Sequence, residues 1–161
     1  MDNKIIKLNN NSENRSIIEN LNIDDSYYDS ITQSQIIIDG DNNNDVYKKI
    51  LKQIQSKING YKNQDKKKKI FSPDKFVDID FILNLLKENE FKCYYCKNNV
   101  KVLYKLVRES SQWSIERINN EFGHNKDNVT IACLDCNLKR KTMYHERFKF
   151  TKQLNIVKND I

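Results

Sequence analysis

Between residues 45 and 60 apolar side chains recur at a helical spacing. Tyr47, Leu51, Ile54 and Ile58 lie four, three and four residues apart, which puts them on one face and predicts a helix that stops at Gly60. A second stripe, Phe81, Ile82, Leu85 and Leu86, predicts a helix over about 78–89 with Asp78 as its N-cap. Further on the period changes to two. Ser114-Ile115-Glu116-Arg117-Ile118 alternates as a half-buried strand does, and the β-branched run Asn128-Val129-Thr130-Ile131-Ala132 suits its partner. Turn-forming residues fill 119–127 between them, so the pair reads as a hairpin. Residues 137–154 then read as a helix with a basic face: Lys139, Arg140, Lys141, Arg147, Lys149 and Lys152. Trp113 is expected to pack the hairpin against the helices.

Residues 1–44 follow neither period. Asn, Asp, Ser and Ile dominate, with clusters at Asn9-Asn10-Asn11 and Asn42-Asn43-Asn44. Disorder is the expectation there, with at most a short strand or helix near Ile36-Ile37-Ile38. Lys66 to Lys69 fall in a polar stretch that reads as a solvated linker, with phosphate contact or a nuclear-localisation patch as the functional alternatives. The organisation expected is a disordered 1–44, a helix and basic linker over 45–75, a folded domain over 76–150, and a tail over 151–161.

Composition agrees with a folded part smaller than the chain. Only 38% of the 161 residues are hydrophobic, too few for one well-packed core over the whole length. Lys and Arg number 28 against 22 Asp and Glu, a net charge of +6. That is a mild bias toward polyanionic partners. No apolar run approaches the roughly 18 residues of a membrane span, and Met1-Asp2-Asn3-Lys4 leads into no secretory h-region. A soluble protein in a reducing compartment is the expectation.

The four cysteines fall in two pairs, Cys93-Tyr94-Tyr95-Cys96 and Cys133-Leu134-Asp135-Cys136, with 36 residues between them. Two residues between ligands let one tight turn aim both sulfurs at one ion, so the two pairs together predict a four-thiolate zinc site. A thioredoxin-like redox pair explains one C-x-x-C and leaves the other idle. Zinc also offsets the small core, since a structural site adds about 10–16 kcal/mol of apparent binding free energy on folding.

The order is therefore helix, knuckle, hairpin, knuckle, helix. Cys-x-x-Cys, Trp-Ser-Ile-Glu-Arg-Ile-Asn-Asn, Gly-His-x-x-x-Asn-Val and Cys-x-x-Cys-Asn, in that order, resemble an HNH endonuclease. More narrowly, they resemble the subgroup of phages and large DNA viruses whose first strand reads Asp-Arg-Ile-Asp-Asn. The resemblance covers about residues 76–150. It implies a small α+β fold, the ββα-metal, treble-clef-like hairpin and helix, here clamped by zinc on Cys93, Cys96, Cys133 and Cys136. It further implies that Glu116 and Asn137 hold a catalytic Mg²⁺ or Mn²⁺, and that Asn128 braces the loop. Arg117 falls where most members carry the general-base His. DNA is the implied substrate, with RNA as an alternative, and the implied setting is cytoplasm, nucleus or viral factory.

Side-chain chemistry bounds these roles. Glu116 and Asn137 offer oxygen, which suits a hard ion and not zinc. Arg117 stays protonated near neutral pH, so it can clamp a phosphate oxygen but cannot take a proton from water. The candidates for that task are the two histidines, His124 beside Gly123 and His145 in the last helix, with a metal-bound water or the substrate itself as alternatives. Lys139, Arg140 and Lys141 are the expected nucleic-acid contacts. The reading is a metal-dependent endonuclease. Its alternative is a zinc-dependent nucleic-acid-binding module whose catalytic site has degenerated.

Overall fold

Side-chain oxygens of Asp29, Asn44 and Asp78 each accept a backbone N–H at the start of a helix, and these caps set the frame of the N-terminal half. The computed structural model describes residues 21–154. Their elements run α1 (Ser30–Asp39), α2 (Asp45–Lys67), α3 (Ile79–Glu88), β1 (Trp113–Arg117), β2 (Val129–Cys133), α4 (Leu134–Arg140) and α5 (His145–Gln153). This is a small α+β fold. No helix among the described residues is long and apolar enough to cross a membrane.

The strands pair antiparallel with Trp113 opposite Cys133, Ile115 opposite Ile131 and Arg117 opposite Val129. Both match the expected hairpin to within a residue. The helix expected over 78–89 is α3, capped by Asp78 as anticipated. Ile82 and Leu86 are its buried residues, whereas Phe81 and Leu85 sit at the margin of the core. Ile37, Ile50, Ile54, Ile82, Leu86, Trp113, Ile115 and Ile131 form one continuous interior.

Three expectations change. First, the second half of 1–44 is folded: a 3-10 turn (Asp25–Tyr28) leads into α1, which contains the short helix allowed near residues 36–38, begins earlier at Ser30, and ends on Gly40 in the left-handed conformation. Its buried Gln33 explains why. The Gln33 amide accepts N–H groups of Val102 and Leu103 at 2.7 and 2.9 Å and donates to the carbonyls of Leu103 and Tyr27. A long-range polar clamp of this kind leaves no periodic trace. The rest of that expectation, over 1–20, lies outside the described residues.

Second, α2 does not stop at Gly60 but continues to Lys67. Gly60 is exposed with open space about its Cα, and residues beyond it find tertiary partners that offset glycine's roughly 1 kcal/mol penalty in a helix. The basic run is therefore the last turn and cap of a helix, not a linker. Third, the single helix expected over 137–154 is two, α4 and α5, broken where Lys141 takes a positive φ of 52°. α4 begins at Leu134, with Cys133 as its N-cap.

Helix α2 covers the outer edge of β1. The Lys57 ammonium donates to the Trp113 carbonyl, and one turn later the Tyr61 hydroxyl accepts the Ile115 N–H at 3.2 Å. An edge strand left bare presents unpaired backbone groups. Here a helix from outside the 76–150 segment closes that edge, and in doing so it lies against the hairpin loop.

Candidate functional site

The two cysteine pairs meet. Cys93 and Cys96 lie on a turn closed by the Lys97 N–H to the Cys93 carbonyl at 3.0 Å, with Lys97 at a φ of 62°. Cys133 ends β2 and Cys136 sits in the first turn of α4, its N–H on the Cys133 sulfur at 3.4 Å. All four sulfurs lie within 4.8 Å of one another, and Cys96 and Cys133 are 3.9 Å apart. Tetrahedral Zn–S bonds of about 2.3 Å put sulfurs about 3.8 Å apart, so the donor set and its spacing fit a zinc ion. Among the free thiols, a hydrogen bond from Cys133 lowers Cys93 to about 5. The same bond raises Cys133, and burial raises Cys136 to about 12. A bound dication favours the thiolate at all four.

A separate cleft of about 490 Å³ opens beside the hairpin. Glu116, Arg117, His124 and Asn137 all line it, so the structure brings together four of the residues singled out in the sequence. Asn128 lies behind them. Its amide donates to the carbonyls of Asn119 and Gly123 at 2.9 and 3.1 Å and accepts the Asn119 N–H at 2.9 Å, which braces the hairpin loop as expected. The Asn137 amide nitrogen donates to the Ser114 hydroxyl at 3.1 Å. That leaves the Asn137 carbonyl oxygen as its open atom. Asn137 is not a helix cap, since Cys133 holds that place.

Glu116 is buried and ion-paired. The Arg140 guanidinium donates to its Oε1, to the carbonyls of Arg117 and Ile118 at 2.5 and 2.9 Å, and through Nε to the Met143 carbonyl at 2.8 Å. Loss of solvent raises the Glu116 carboxyl above its ordinary range, with Arg140 pulling the other way. Arg117 spends Nη1 on the loop carbonyls of Asn120 and Phe122 at 3.1 and 3.2 Å.

The three expected basic contacts part company. Lys141 is exposed and lines the cleft. Lys139 pairs with Asp135 at 2.9 Å, one turn away on α4. Arg140 is buried, with all three guanidinium nitrogens bound inside the protein. His145 is remote from the cleft, its Nε2 on Glu146 at 3.0 Å.

Helix α2 supplies a wall of the cleft that the sequence reading missed: Tyr61, Gln64 and Lys68 line it, and Asp65 lies behind them. Asp65 has no exposed surface. Its Oδ1 is 2.8 Å from His124 Nδ1, and its Oδ2 accepts the His124 N–H at 2.6 Å. The Tyr61 ring stands 4.4 Å from the imidazole. Gly123 makes the approach possible: a Cβ there would fall 2.6 Å from the Ile70 carbonyl and 2.7 Å from Asp65 Oδ2. Burial lowers the His124 imidazole from its ordinary value, with Asp65 opposing. The available signal was the stripe itself. Ile50, Ile54, Ile58 and Tyr61 continue at helical spacing onto Asp65, and a carboxylate on an apolar stripe needs a partner.

Lys68 and Lys141 have no carboxylate partner among the described residues, while both carboxylates of the site, Glu116 and Asp65, are already paired inward. The mouth of the cleft is therefore cationic, which suits an anionic ligand. Comparisons of the chain with protein-family models, with curated proteins and with solved structures found no match.

Proposed function

We propose that the protein is a metal-dependent endonuclease that hydrolyses phosphodiester bonds in DNA on a zinc-stapled, HNH-like ββα scaffold. The observation that carries this reading is the convergence on one cationic cleft of Glu116, Asn137 and His124. The resemblance stated for residues 76–150 names the same three positions.

The donor set fits a hard divalent ion. Glu116 has a second carboxylate oxygen beyond the one held by Arg140, and Asn137 has a free carbonyl oxygen. These two residues would hold Mg²⁺ or Mn²⁺, which neutralises charge on the phosphoryl and leaving oxygens of such a reaction. The chain's own groups do the rest. Lys68 and Lys141 draw the phosphate backbone to the mouth of the cleft. His124, neutral near pH 7 because burial lowers it, takes a proton from the attacking water at Nε2. The water oxygen bonds to phosphorus, the P–O bond to the leaving nucleotide breaks, and solvent protonates the leaving oxygen. Arg117 is a loop tie that binds through Nη1 alone, not a base.

A specific observation favours a second reading. Glu116 is ion-paired to Arg140 and buried, a state in which a structural role competes with metal ligation. On that reading the protein grips nucleic acid without cutting it. Supercoiled-plasmid nicking by zinc-loaded protein, with Mg²⁺, Mn²⁺ or EDTA, separates the two. The nuclease converts plasmid to open circles with metal, and Glu116→Ala and Asn137→Ala abolish this while keeping zinc. A gel shift without strand breaks under any metal establishes the binding module instead.

A further inference from the structure

His124 has one uncommitted polar atom. Its N–H and Nδ1 both meet Asp65, at 2.6 and 2.8 Å, its carbonyl accepts the Val77 N–H at 3.1 Å, and its ring rests on Tyr61. Only Nε2 remains for the cleft that His124 lines. An ionised carboxylate has lone pairs and no hydrogen to give, so the proton of a neutral imidazole must sit on Nδ1. We infer that Asp65 is a positioning residue that fixes His124 as the Nδ1–H tautomer and holds its bare Nε2 toward the cleft as a proton acceptor. The identity of the proton donor, an attacking water, rests on the nuclease reading above.

The inference changes the boundary of the functional unit. Asp65 is nearly 60 residues upstream of His124, outside the segment that resembles a nuclease. Helix α2 is thus part of the site: it contributes Tyr61, Gln64 and Lys68 to the cleft wall and Asp65 to the histidine. An arginine stands where a histidine base is expected, and an Asp–His pair assembled from two distant segments fills that gap. Asp65 also stabilises the imidazolium that forms when Nε2 takes a proton. The charged and titratable groups facing the ring are Asp65, Lys68 and Tyr61 from α2 and Arg117 from β1. Of these only Asp65 favours the protonated ring.

Long-range ¹H–¹⁵N spectra of ¹⁵N-histidine-labelled, zinc-loaded full-length protein test the tautomer directly, because the chain has only two histidines. The expected result is a proton on Nδ1 and a bare Nε2 in His124, assigned by its loss in His124→Gln. A proton on Nε2 overturns the inference, and it does so whether or not the protein cuts DNA. In nicking assays Asp65→Asn is expected to lower the single-turnover rate constant by at least about tenfold, with DNA affinity unchanged. Its acid limb moves to lower pH, since loss of the carboxylate makes His124 harder to protonate. Asp65→Glu restores part of the rate. An Asp65→Asn protein with parental rate and pH profile also overturns the inference. Absence of nicking in the parent sinks the nuclease reading alone, leaving the tautomer to decide the role of Asp65.

Discussion

Arg140 reaches back from the last residue of α4 to the carboxylate of Glu116 in β1, and neither side chain is exposed to solvent by more than 6%. The guanidinium also gathers the carbonyls of Arg117, Ile118 and Met143. One side chain therefore ties the end of β1 to the break between α4 and α5. The same contact orients the carboxylate that faces the cleft.

This pair makes an asymmetric prediction. Arg140→Met leaves a buried carboxylate without its partner, which is expected to cost about 3–5 kcal/mol. Replacing both residues, Glu116→Leu with Arg140→Met, is expected to cost less than Arg140→Met alone, since two charges leave the interior together. Urea denaturation of the zinc-loaded proteins measures both. A double variant no more stable than Arg140→Met contradicts the pairing.

The zinc site has a built-in reporter. Trp113, the chain's only tryptophan, is fully buried and stands opposite Cys133 in the hairpin register. Chelation is expected to remove one zinc per chain and about 10–16 kcal/mol of apparent binding free energy. The hairpin then opens and Trp113 emission shifts to the red. Unchanged emission and far-ultraviolet circular dichroism in metal-free protein contradict a structural zinc.

The cationic mouth predicts which lysines matter. Lys68→Ala and Lys141→Ala should each reduce the slope of log K against log salt for DNA binding by about one, whatever the DNA sequence. Lys139→Ala should leave it near the parental value, because Lys139 pairs with Asp135 outside the cleft. Fluorescence anisotropy at several salt concentrations reads all three. Equal slopes in every variant remove the cleft from the binding surface.

Lys57 predicts a pH dependence of stability. Its ammonium lies 5.0 Å from the ring centroids of both Tyr104 and Trp113, and burial lowers it to about 7. Between pH 7 and 10 the unfolded chain holds this proton and the folded chain releases it, so stability rises with pH. The expected contribution is on the order of 1 kcal/mol per pH unit, absent in Lys57→Met. Below pH 7 both states are protonated and the full cost of the buried charge remains. Urea midpoints for both proteins from pH 6.5 to 9 give the difference, and parallel curves contradict it.

Much of the local plan was legible because it rests on periodicity and spacing. The stripe Phe81, Ile82, Leu85, Leu86 and the cap Asp78 placed α3. The alternation around Glu116 placed β1, and the paired C-x-x-C turns located the four-sulfur cluster. The candidates Glu116, His124 and Asn137 came from short motifs and do share a cleft. What failed depended on contacts between distant segments. Of α1 only a short strand or helix near residues 36–38 is legible in the sequence, because the clamp that holds the helix, Gln33 on Val102 and Leu103, spans about 70 residues. α2 seemed to end at Gly60 because local propensity there is poor, whereas Tyr61 and Asp65 are held by β1 and the hairpin loop.

The amino-acid sequence by itself determined the elements that follow from nearest neighbours along the chain: amphipathic helices, an alternating hairpin, and thiol pairs spaced for one ion. Only the tertiary structure decided which charges are free. Arg140 and Lys141 are adjacent in sequence, yet one is sealed against Glu116 and the other lines the cleft. Lys68 and Asp65 share a helix face, yet one meets solvent and the other is locked to His124. The physical reason is that a charge acquires its role from burial and partners, and those are set when separate segments close on one another.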